Sequence, residues 1–367
     1  MKKIVVKVGT STLTEGKKQL SPKKMKDLAR QLAALHNDSH LILVSSGAIA
    51  AGRDKLNHPI IERSMPAKQM FAAVGQVQLM KLWTDHFKKH GVSVGQVLLT
   101  KEDLSDRNRY LNARDTLECL LHHKVLPIVN ENDTVATQEI KVGDNDNLAA
   151  LVANLIGADL LILLTDQEGL YTADPRINSD AEFIPLVKKI DASIFNLAKG
   201  SSTKLGVGGM VTKIEAAQKA TQMGASTIIC SSNRDDVLID IVNGKKVGTH
   251  FLTSLTPQQS RKRWLLNEKV QGQLIVDEGA ALKISKQGAS LLPSGIQKVN
   301  RSFDRGAIVQ ILDPHEVPIA LGISNYGHEE IKQIKGKHSN TIEKDLGYSY
   351  GAEVIHRSNL CRLQNES

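Results

Sequence analysis

The chain has few of the residues that build disulfide frameworks and zinc sites. Its 367 residues include three cysteines, Cys119, Cys230 and Cys361, which lie far apart and form no CxxC pair. Disulfide-stapled secreted domains and zinc modules need more cysteines at closer spacing. The cysteine content therefore argues against both classes and favours a reducing, cytoplasmic setting.

Segments that would cross a membrane or direct export are also missing. The opening MKKIVVKVG starts like a signal peptide, but Lys7 ends its apolar run after three residues and no small-residue cleavage pattern follows. The longest apolar region, LAALVANLIGADLLILL, contains Gly157 and Asp159, so we predict a helix, a turn and a strand there. We expect a soluble protein that is not exported and has no membrane partner.

Two common nucleotide-binding motifs are absent. The sequence contains neither a Walker A pattern (GxxxxGK[ST]) nor GxGxxG, which argues against a P-loop NTPase and a Rossmann dehydrogenase. A formal net charge of +8 is compatible with an anionic partner such as a nucleotide or a nucleic acid. Solvated lysines on helix faces would give the same total. Any phosphate site must therefore use another design.

What the sequence does contain, up to about residue 250, is an alternation of short apolar runs with longer amphipathic segments. The runs are KIVVKVG, HLILVSSG, VSVGQVLLT, KVLPIVNEND, ADLLILLTD and ASTIIC. Strands that are apolar on both faces and separated by helices are typical of a parallel sheet covered on both sides. We predict an α/β fold with an open, mostly parallel sheet sandwiched by helices, and we expect ligands at the carboxyl ends of its strands.

The pattern changes after residue 250. The polar, basic segment TSLTPQQSRKRW leads into closely spaced period-two runs such as GQLIVDEGA, FDRGAIVQILD and EVPIALGISNY. Such runs predict a smaller β-rich domain. We therefore predict two domains, residues 1–255 and residues 270–360.

Two lysines are candidates for binding a phosphate. Lys7 interrupts an apolar strand just before GTST, so its ammonium group must either extend to solvent or meet an anion at the strand end. In GVGGMVTKIEAA, a glycine-rich turn opens a helix that carries Lys213. Such a turn is either a flexible loop or an anion site. Our hypothesis is that both lysines converge on one phosphate.

The segment KVGDNDNLAALVA places four oxygen-bearing side chains, Asp144, Asn145, Asp146 and Asn147, before an apolar run. One such residue is enough to cap a helix. Adjacent carboxylates repel each other unless a cation or a hydrogen-bond donor lies among them. The pattern therefore fits either a helix start or a polar site whose occupant the residues alone do not identify.

In their order and spacing, VVKVGTS, VSSGAIAAG, VNENDTVAT, KVGDNDNLAA, LLTDQEGLYTADPR and GVGGMVTK resemble the amino acid kinase family. Within that family the resemblance is to the kinases that phosphorylate glutamate. The segments IVDEGAALKI, SLLPSGI and FDRGAIVQI resemble a PUA domain, which follows the kinase domain in many bacterial members of that group. The resemblance implies the amino acid kinase fold with a PUA-like C-terminal domain.

The implied reaction is transfer of a phosphoryl group from ATP to the side-chain carboxylate of L-glutamate. The products are glutamyl 5-phosphate and ADP, and the reaction is the first step of proline biosynthesis. A carboxylate is already ionised at neutral pH, so the nucleophile needs no general base. Catalysis then depends on cations that position the reactants and stabilise the moving phosphoryl group.

The resemblance also implies roles for individual residues. The catalytic residues are Lys7, Lys213 and Asp146, with Asp146 between the two lysines and orienting them. The glutamate-binding residues are Ser46, Asp133, Asn145 and Asp144, with Asp133 as a partner for the substrate ammonium group. The nucleotide-binding residues are Lys7, Thr165, Asp166, Tyr171, Asp174, Arg176, Gly206, Gly208, Gly209, Met210 and Lys213. The TADPR segment alone would fit a proline-stabilised turn equally well.

ATP is the implied cofactor, with Mg²⁺ carried on the nucleotide and no metal site formed by the protein. Further implications are feedback inhibition by proline, a dimer or tetramer, and handover of the product to glutamyl phosphate reductase. The sequence departs from the family at Val207 and Val211, where hydroxyl contacts to phosphate are lost. Arg301 replaces a usual glycine, so we expect a different turn there.

Two alternatives remain. One is another small-acid kinase of the same fold, acting on aspartate or acetylglutamate, although GAIAAG and the PUA-like tail argue against it. The other is an RNA-binding protein that acts through the PUA-like domain, which the basic segments SRKRW and KQIKGKH allow. RNA binding as the principal role leaves the kinase motifs unexplained.

Overall fold

The computed structural model describes residues 1–61, 64–136, 145–199 and 209–363. It divides into two compact units, Met1–Pro257 and Gln258–Ser367. Among the described residues, no helix is both long enough and apolar enough to cross a membrane.

An eight-stranded sheet in the order β3-β4-β2-β1-β5-β9-β10-β8 forms the centre of the first unit. Its strands are β1 (Lys2–Val8), β2 (Ser39–Ser45), β3 (Val94–Leu99), β4 (Leu126–Glu131), β5 (Leu160–Thr165), β8 (Leu186–Val187), β9 (Ser226–Ser231) and β10 (Thr249–Phe251). Neighbouring strands run parallel except β9 and β10. A separate antiparallel pair is formed by β6 (Leu170–Tyr171) and β7 (Phe183–Ile184).

Helices cover both faces of this sheet. They are α1 (Thr10–Thr14), α2 (Pro22–His36), α3 (Ala48–Lys55), α4 (Met65–Lys88), α5 (Lys101–Ser105), α6 (Arg107–His122), α7 (Asn145–Ile156), α8 (Ala192–Lys199), α9 (Met210–Gln222) and α10 (Val237–Val242). Alternate residues of β1 enter different cores, because successive side chains of a strand point to opposite faces. Val5 packs in the core with α7 and α9, and Val6 packs in the core with α2 and α4.

The second unit has its own sheet, in the order β12-β11-β13-β14-β15. The strands are β11 (Gly272–Val276), β12 (Ile296–Asn300), β13 (Ile308–Leu312), β14 (Pro318–Ile323) and β15 (Leu360–Arg362). The helices are α11 (Pro257–Asn267), which begins at the last residue of the first unit, α12 (Glu278–Leu282), α13 (His328–Ile334) and α14 (Ile342–Leu346). The predicted fold class, a mostly parallel α/β sandwich followed by a smaller β-rich unit, is confirmed. The basic segment between the predicted domains lies largely in the helix α11.

Arg301, which replaces a usual glycine of the resembling family, has a backbone φ of 65°. This left-handed conformation costs a non-glycine residue about 1–2 kcal/mol. Arg301 thus takes a backbone conformation that glycine adopts without strain, and the expected change of turn relative to the family stays a prediction.

Helices α3 and α4 approach each other closely at two glycines. A Cβ atom on Gly52 would lie 1.8 Å from the carbonyl oxygen of Phe71, and a Cβ atom on Gly75 would lie 1.8 Å from that of Ala48. Real Cβ atoms cannot come so close to backbone, so these positions need glycine. The contact holds the start of α3, which follows the end of β2, against the middle of α4.

We expect Gly75→Ala to destabilise the protein by about 2 kcal/mol, because the added methyl group must push α3 away from α4. For a unit of this size the melting temperature should fall by about 5 °C. Val77→Ala, at a side chain 75% exposed on the same helix, is the matched control. Equal melting temperatures for the two variants, measured by calorimetry, would contradict the close approach.

Candidate active site

The carboxyl ends of the central strands place polar residues at one edge of the sheet. Lys7 on β1 pairs in register with Val44 on β2 and with Leu163 on β5. The residues that follow these partners are Ser45 at the end of β2, Ser46 just beyond it, and Thr165 at the end of β5. They therefore lie near the lysine. This edge is where ligands bind in open parallel sheets.

Lys7, Asp146 and Lys213 meet at this edge and form a buried cluster. Lys7 lies on the face of β1 that packs against α7, and its Nζ contacts Oδ1 of Asp146. Lys213 on α9 places its Nζ 3.1 Å from Oδ2 of the same carboxylate. The Asp146 side chain is completely buried, and the lysines are 6% and 7% exposed. One carboxylate thus holds two ammonium groups from different elements side by side.

The charge balance of the cluster is set by these contacts. Burial alone would raise the pKa of the Asp146 carboxyl, but the charges of Lys7 and Lys213 and their hydrogen bonds outweigh it. They hold that pKa well below its usual range. The cluster therefore carries two positive charges and one negative charge at neutral pH, and it is suited to receive an anion.

Helix α7 begins at Asn145, and both of its first residues are functional candidates. The Nδ2 group of Asn145 lies 2.8 Å from Oγ of Ser46 and 2.9 Å from Oδ1 of Asn130. The structure therefore brings the predicted residues Ser46 and Asn145 into direct contact. The polar segment was interpreted either as a helix start or as a polar site, and Asn145 fits both. The helix starts at Asn145, and the Asn145 side chain reaches across to residues at the ends of β2 and β4.

Asp133 lies just after β4 and borders a cavity of about 290 Å³ between α4 and the end of β4. The cavity is lined by Ala72, Ala73, Gln76, Val77, Gln96, Leu98, Glu131, Asn132, Asp133 and Thr134. Burial raises the pKa of the Asp133 carboxyl to about 6. Such a carboxyl accepts a cationic partner readily above this pH.

The predicted nucleotide residues after β5 form a second polar group. Thr165 donates its hydroxyl to Oδ1 of Asp166 at 3.0 Å. Arg176 binds Asp174 through two nitrogen atoms at 2.9 and 2.7 Å, and these bonds, with the nearby charge of Asp166, raise the pKa of the guanidinium. The ring of Tyr171 packs edge-on against Phe183 at 5.4 Å between centroids.

The start of α9 contains the described part of the glycine-rich turn. Gly209 occupies the N-cap position, and a Cβ atom there would meet no other atom within 4 Å. Met210 is buried in the apolar core, so its backbone N–H, rather than its side chain, is the group that could meet a phosphate. Val211, a departure from the family, packs against the same core. Asp144, Gly206, Val207 and Gly208 lie outside the described residues.

Several residues at the site were not identified from the sequence. Thr212 places its hydroxyl 3.0 Å from Oδ2 of Asp146. Asn130 joins Asn145 to Gln76 on α4, and buried Trp83 donates its indole N–H to Oγ of Ser45. The VNEND segment pointed to the strand end but not to Asn130 in particular. The contributions from α4 had no local sequence signal, because they depend on how this helix packs.

Metal-binding side chains are not clustered at the site. Among the described residues, no group of three or more His, Cys, Asp and Glu side chains is arranged to hold a metal ion.

Models of two known protein families match successive parts of the chain. The model of the amino acid kinase family matches residues 2–231, and the model of the PUA domain matches residues 272–346. The chain is similar to proteins named glutamate 5-kinase. One from Shewanella oneidensis is 50% identical, covering 99% of this chain and 98% of that protein. One from Photobacterium profundum is 51% identical, covering 97% and 95%.

A solved structure also matches part of the chain. The UMP kinase from Ureaplasma parvum is 15% identical, with a TM-score of 0.46, covering 69% of this chain and 99% of that one.

Proposed function

Because the chain belongs to the amino acid kinase family, we propose that its site transfers the γ-phosphoryl group of ATP to the side-chain carboxylate of L-glutamate. This is the activity in the name of relatives that match nearly the whole chain. The products are glutamyl 5-phosphate and ADP, and the step opens proline biosynthesis. The observation that carries the proposal is the pair of buried lysines held by Asp146.

The two lysines explain how one anion can attack another. The carboxylate of glutamate and the triphosphate of ATP repel each other, and the charge on the transferring group is spread over its oxygen atoms. Ammonium groups fixed beforehand by Asp146 stabilise that charge without further reorganisation. Because the attacking carboxylate is already ionised, no residue has to remove a proton.

Glutamate occupies the side of the site formed by Ser46, Asn145 and Asp133 in this proposal. The Asn145 amide and the Ser46 hydroxyl are hydrogen-bonding groups that suit a carboxylate or an ammonium group. Asp133, at the cavity beside α4, supplies the negative charge for the ammonium. Asp144, outside the described residues, is proposed to contribute there as well.

ATP occupies the other side, where Thr165, Asp166, Tyr171, Asp174 and Arg176 are grouped after β5. The start of α9, with Gly209 and the backbone N–H of Met210, faces the phosphates in this proposal. Gly206 and Gly208, outside the described residues, are proposed to contribute there as well. A helix N-terminus carries a partial positive charge that favours phosphate. Mg²⁺ enters on the nucleotide phosphates and neutralises part of their charge.

A substrate panel tests the function. ADP release is measured with glutamate, aspartate, acetylglutamate and carbamate, each with and without proline. We expect activity with glutamate and a higher apparent glutamate KM in the presence of proline, through competition at the same site. Activity with aspartate and none with glutamate would overturn the assignment.

The proposal extends to the setting of the enzyme. We propose a cytoplasmic dimer or tetramer that passes its unstable acyl phosphate to glutamyl phosphate reductase. Three free cysteines, one exposed and two buried, suit a reducing compartment.

The role of Asp133 makes a pH prediction. Its carboxyl has a raised pKa of about 6, so protonation below this pH removes the charge that pairs with the substrate ammonium. We expect wild-type kcat/KM for glutamate to fall as pH decreases from 7 to 5. Asp133→Asn should raise glutamate KM at least about tenfold at pH 7.5 and abolish this pH dependence.

Thermal stability provides the control for this variant. A carboxyl whose pKa is raised on folding disfavours the folded state once it ionises, so the asparagine should not lower the melting temperature at pH 7.5. An unchanged pH profile in Asp133→Asn would exclude Asp133 as the titrating group.

A further inference from the structure

A chain of amide side chains links the proposed glutamate site to helix α4. Oδ1 of Asn130 accepts from Nδ2 of Asn145 at 2.9 Å, and Nδ2 of Asn130 donates to Oε1 of Gln76 at 2.8 Å. Gln76 also lines the 290 Å³ cavity that Asp133 borders. Gln76 therefore connects the two parts of the proposed glutamate site.

Two contacts set which way the Asn130 amide faces, the acceptor on Gln76 and the backbone N–H of Glu131. With Oε1 of Gln76 on one side, Asn130 must direct Nδ2 toward it and Oδ1 toward Asn145. The backbone N–H of Glu131 also donates to this Oδ1, at 2.9 Å. A flipped Asn130 would set its NH₂ group against the NH₂ group of Asn145, which is a contact between two donors.

The orientation passes on to Asn145. Its Nδ2 donates to Oγ of Ser46, to Oδ1 of Asn130 and, at 3.5 Å, to the backbone carbonyl of Ser45, so its Oδ1 points away from these acceptors. An amide oxygen fixed in this way is an acceptor for an ammonium group. Without the Gln76 acceptor, the Nδ2 group of Asn130 loses its bond to α4, and the backbone N–H of Glu131 alone holds the Asn130 oxygen toward Asn145.

The hydrogen bond to Asn130 satisfies only the oxygen of the Gln76 amide. Its Nε2 is buried without a hydrogen-bond partner among the described residues. A buried donor left unsatisfied destabilises the folded state, whereas an apolar side chain of the same shape avoids that penalty. Residues that break a local rule in this way are expected at functional sites.

We propose that Gln76 is a positioning residue for substrate recognition, which fixes the amides of Asn130 and Asn145 so that the Asn145 oxygen faces the ammonium group of glutamate. The proposal rests on the proposed function. Gln76 itself does not touch the reacting atoms, and its effect is on the preference for an α-amino acid.

Gln76→Met tests the proposal in the full-length enzyme, because methionine keeps the length of the side chain and removes the acceptor. The matched control is Gln78→Met, two residues away on the same helix. We expect Gln76→Met to raise glutamate KM about tenfold with ATP KM close to wild type. The melting temperature should fall by only a few degrees, since buried Asn130 loses one acceptor. Glutarate, which lacks the amino group, should inhibit the wild type and Gln76→Met with inhibition constants within about threefold of each other.

A glutamate KM within twofold of wild type would overturn the proposal. An equal increase in glutamate KM and in the glutarate inhibition constant would overturn it too, because a general distortion of the pocket would then explain the loss. The wild-type enzyme is assayed first: if it forms no ADP with glutamate, the proposed function itself fails, independently of the variant.

Discussion

Replacing Lys213 by methionine is expected to lower kcat about a hundredfold while glutamate KM changes by less than about threefold. The Lys213 ammonium is buried beside Asp146, where it can stabilise charge that develops as the phosphoryl group moves. Loss of one such group typically removes about 3 kcal/mol of transition-state stabilisation. An interaction that is made mainly in the transition state affects kcat more than KM.

Lys219→Met is the control for this variant. Lys219 lies on the same helix, α9, and is exposed, with its Nζ 2.5 Å from Oδ1 of Asn147. Lys219→Met changes the net charge by the same amount as Lys213→Met but should leave kcat within about twofold of the wild-type value. The two variants are compared by initial rates at saturating ATP and glutamate, and a wild-type kcat in Lys213→Met would remove this lysine from the catalytic group. Lys7→Met, on the other side of Asp146, should behave like Lys213→Met.

Six of the eight strands in the main sheet of the first unit were predictable, because their sequences are apolar on both faces; β8 and β10 were not. Lys7 stood out as the one charge within such a run, and the structure places it at the ligand-binding edge of the sheet. Its neighbours Val6 and Val8 enter the opposite core. A single charged residue in an otherwise apolar strand thus indicated where the site lies.

Features that depend on packing between distant elements were not predictable. The short strand β10 runs antiparallel to β9, which nothing in three residues indicates. Gln76 and Asn130 are 54 positions apart in the sequence but are joined by a hydrogen bond. Helix α4 can lie at this position only because Gly52 and Gly75 let α3 and α4 pack closely. Met210 was assigned to the nucleotide from the resemblance, whereas its side chain belongs to the core.

Thr212 shows a third kind of limit. Its hydroxyl lies within hydrogen-bonding distance of both the Gly209 carbonyl and the Asp146 carboxylate. A hydroxyl in the first turn of a helix commonly makes such a local bond, so its residue type and position alone do not assign Thr212 to the site. Its second contact exists only because α7 and α9 pack side by side.

Asp146→Asn is expected to damage both stability and catalysis. The asparagine keeps the shape but removes the negative charge that contacts the buried ammonium groups of both Lys7 and Lys213. Removing one partner from a buried ionic cluster costs about 3–5 kcal/mol, which should lower the melting temperature by about 10 °C. The lysines should also lose their common orientation, so we expect kcat to fall more than a hundredfold.

The pH dependence of this loss separates the charge of Asp146 from its shape. The pKa of Asp146 is lower in the folded state than in the unfolded state, so its contribution is complete at neutral pH. It is lost as pH falls below about 4, where the unfolded chain takes up the proton first. The difference in melting temperature between wild type and Asp146→Asn should therefore be largest at pH 7 and shrink toward pH 3.

Asp240→Asn is the control, since Asp240 also binds two cations, Arg234 and Lys245, but at a position outside the site. It should cost less stability, because Arg234 and Lys245 are largely exposed, and it should leave kcat unchanged. Equal losses of kcat in the two variants would mean that Asp146 acts on the fold alone and does not orient the catalytic lysines.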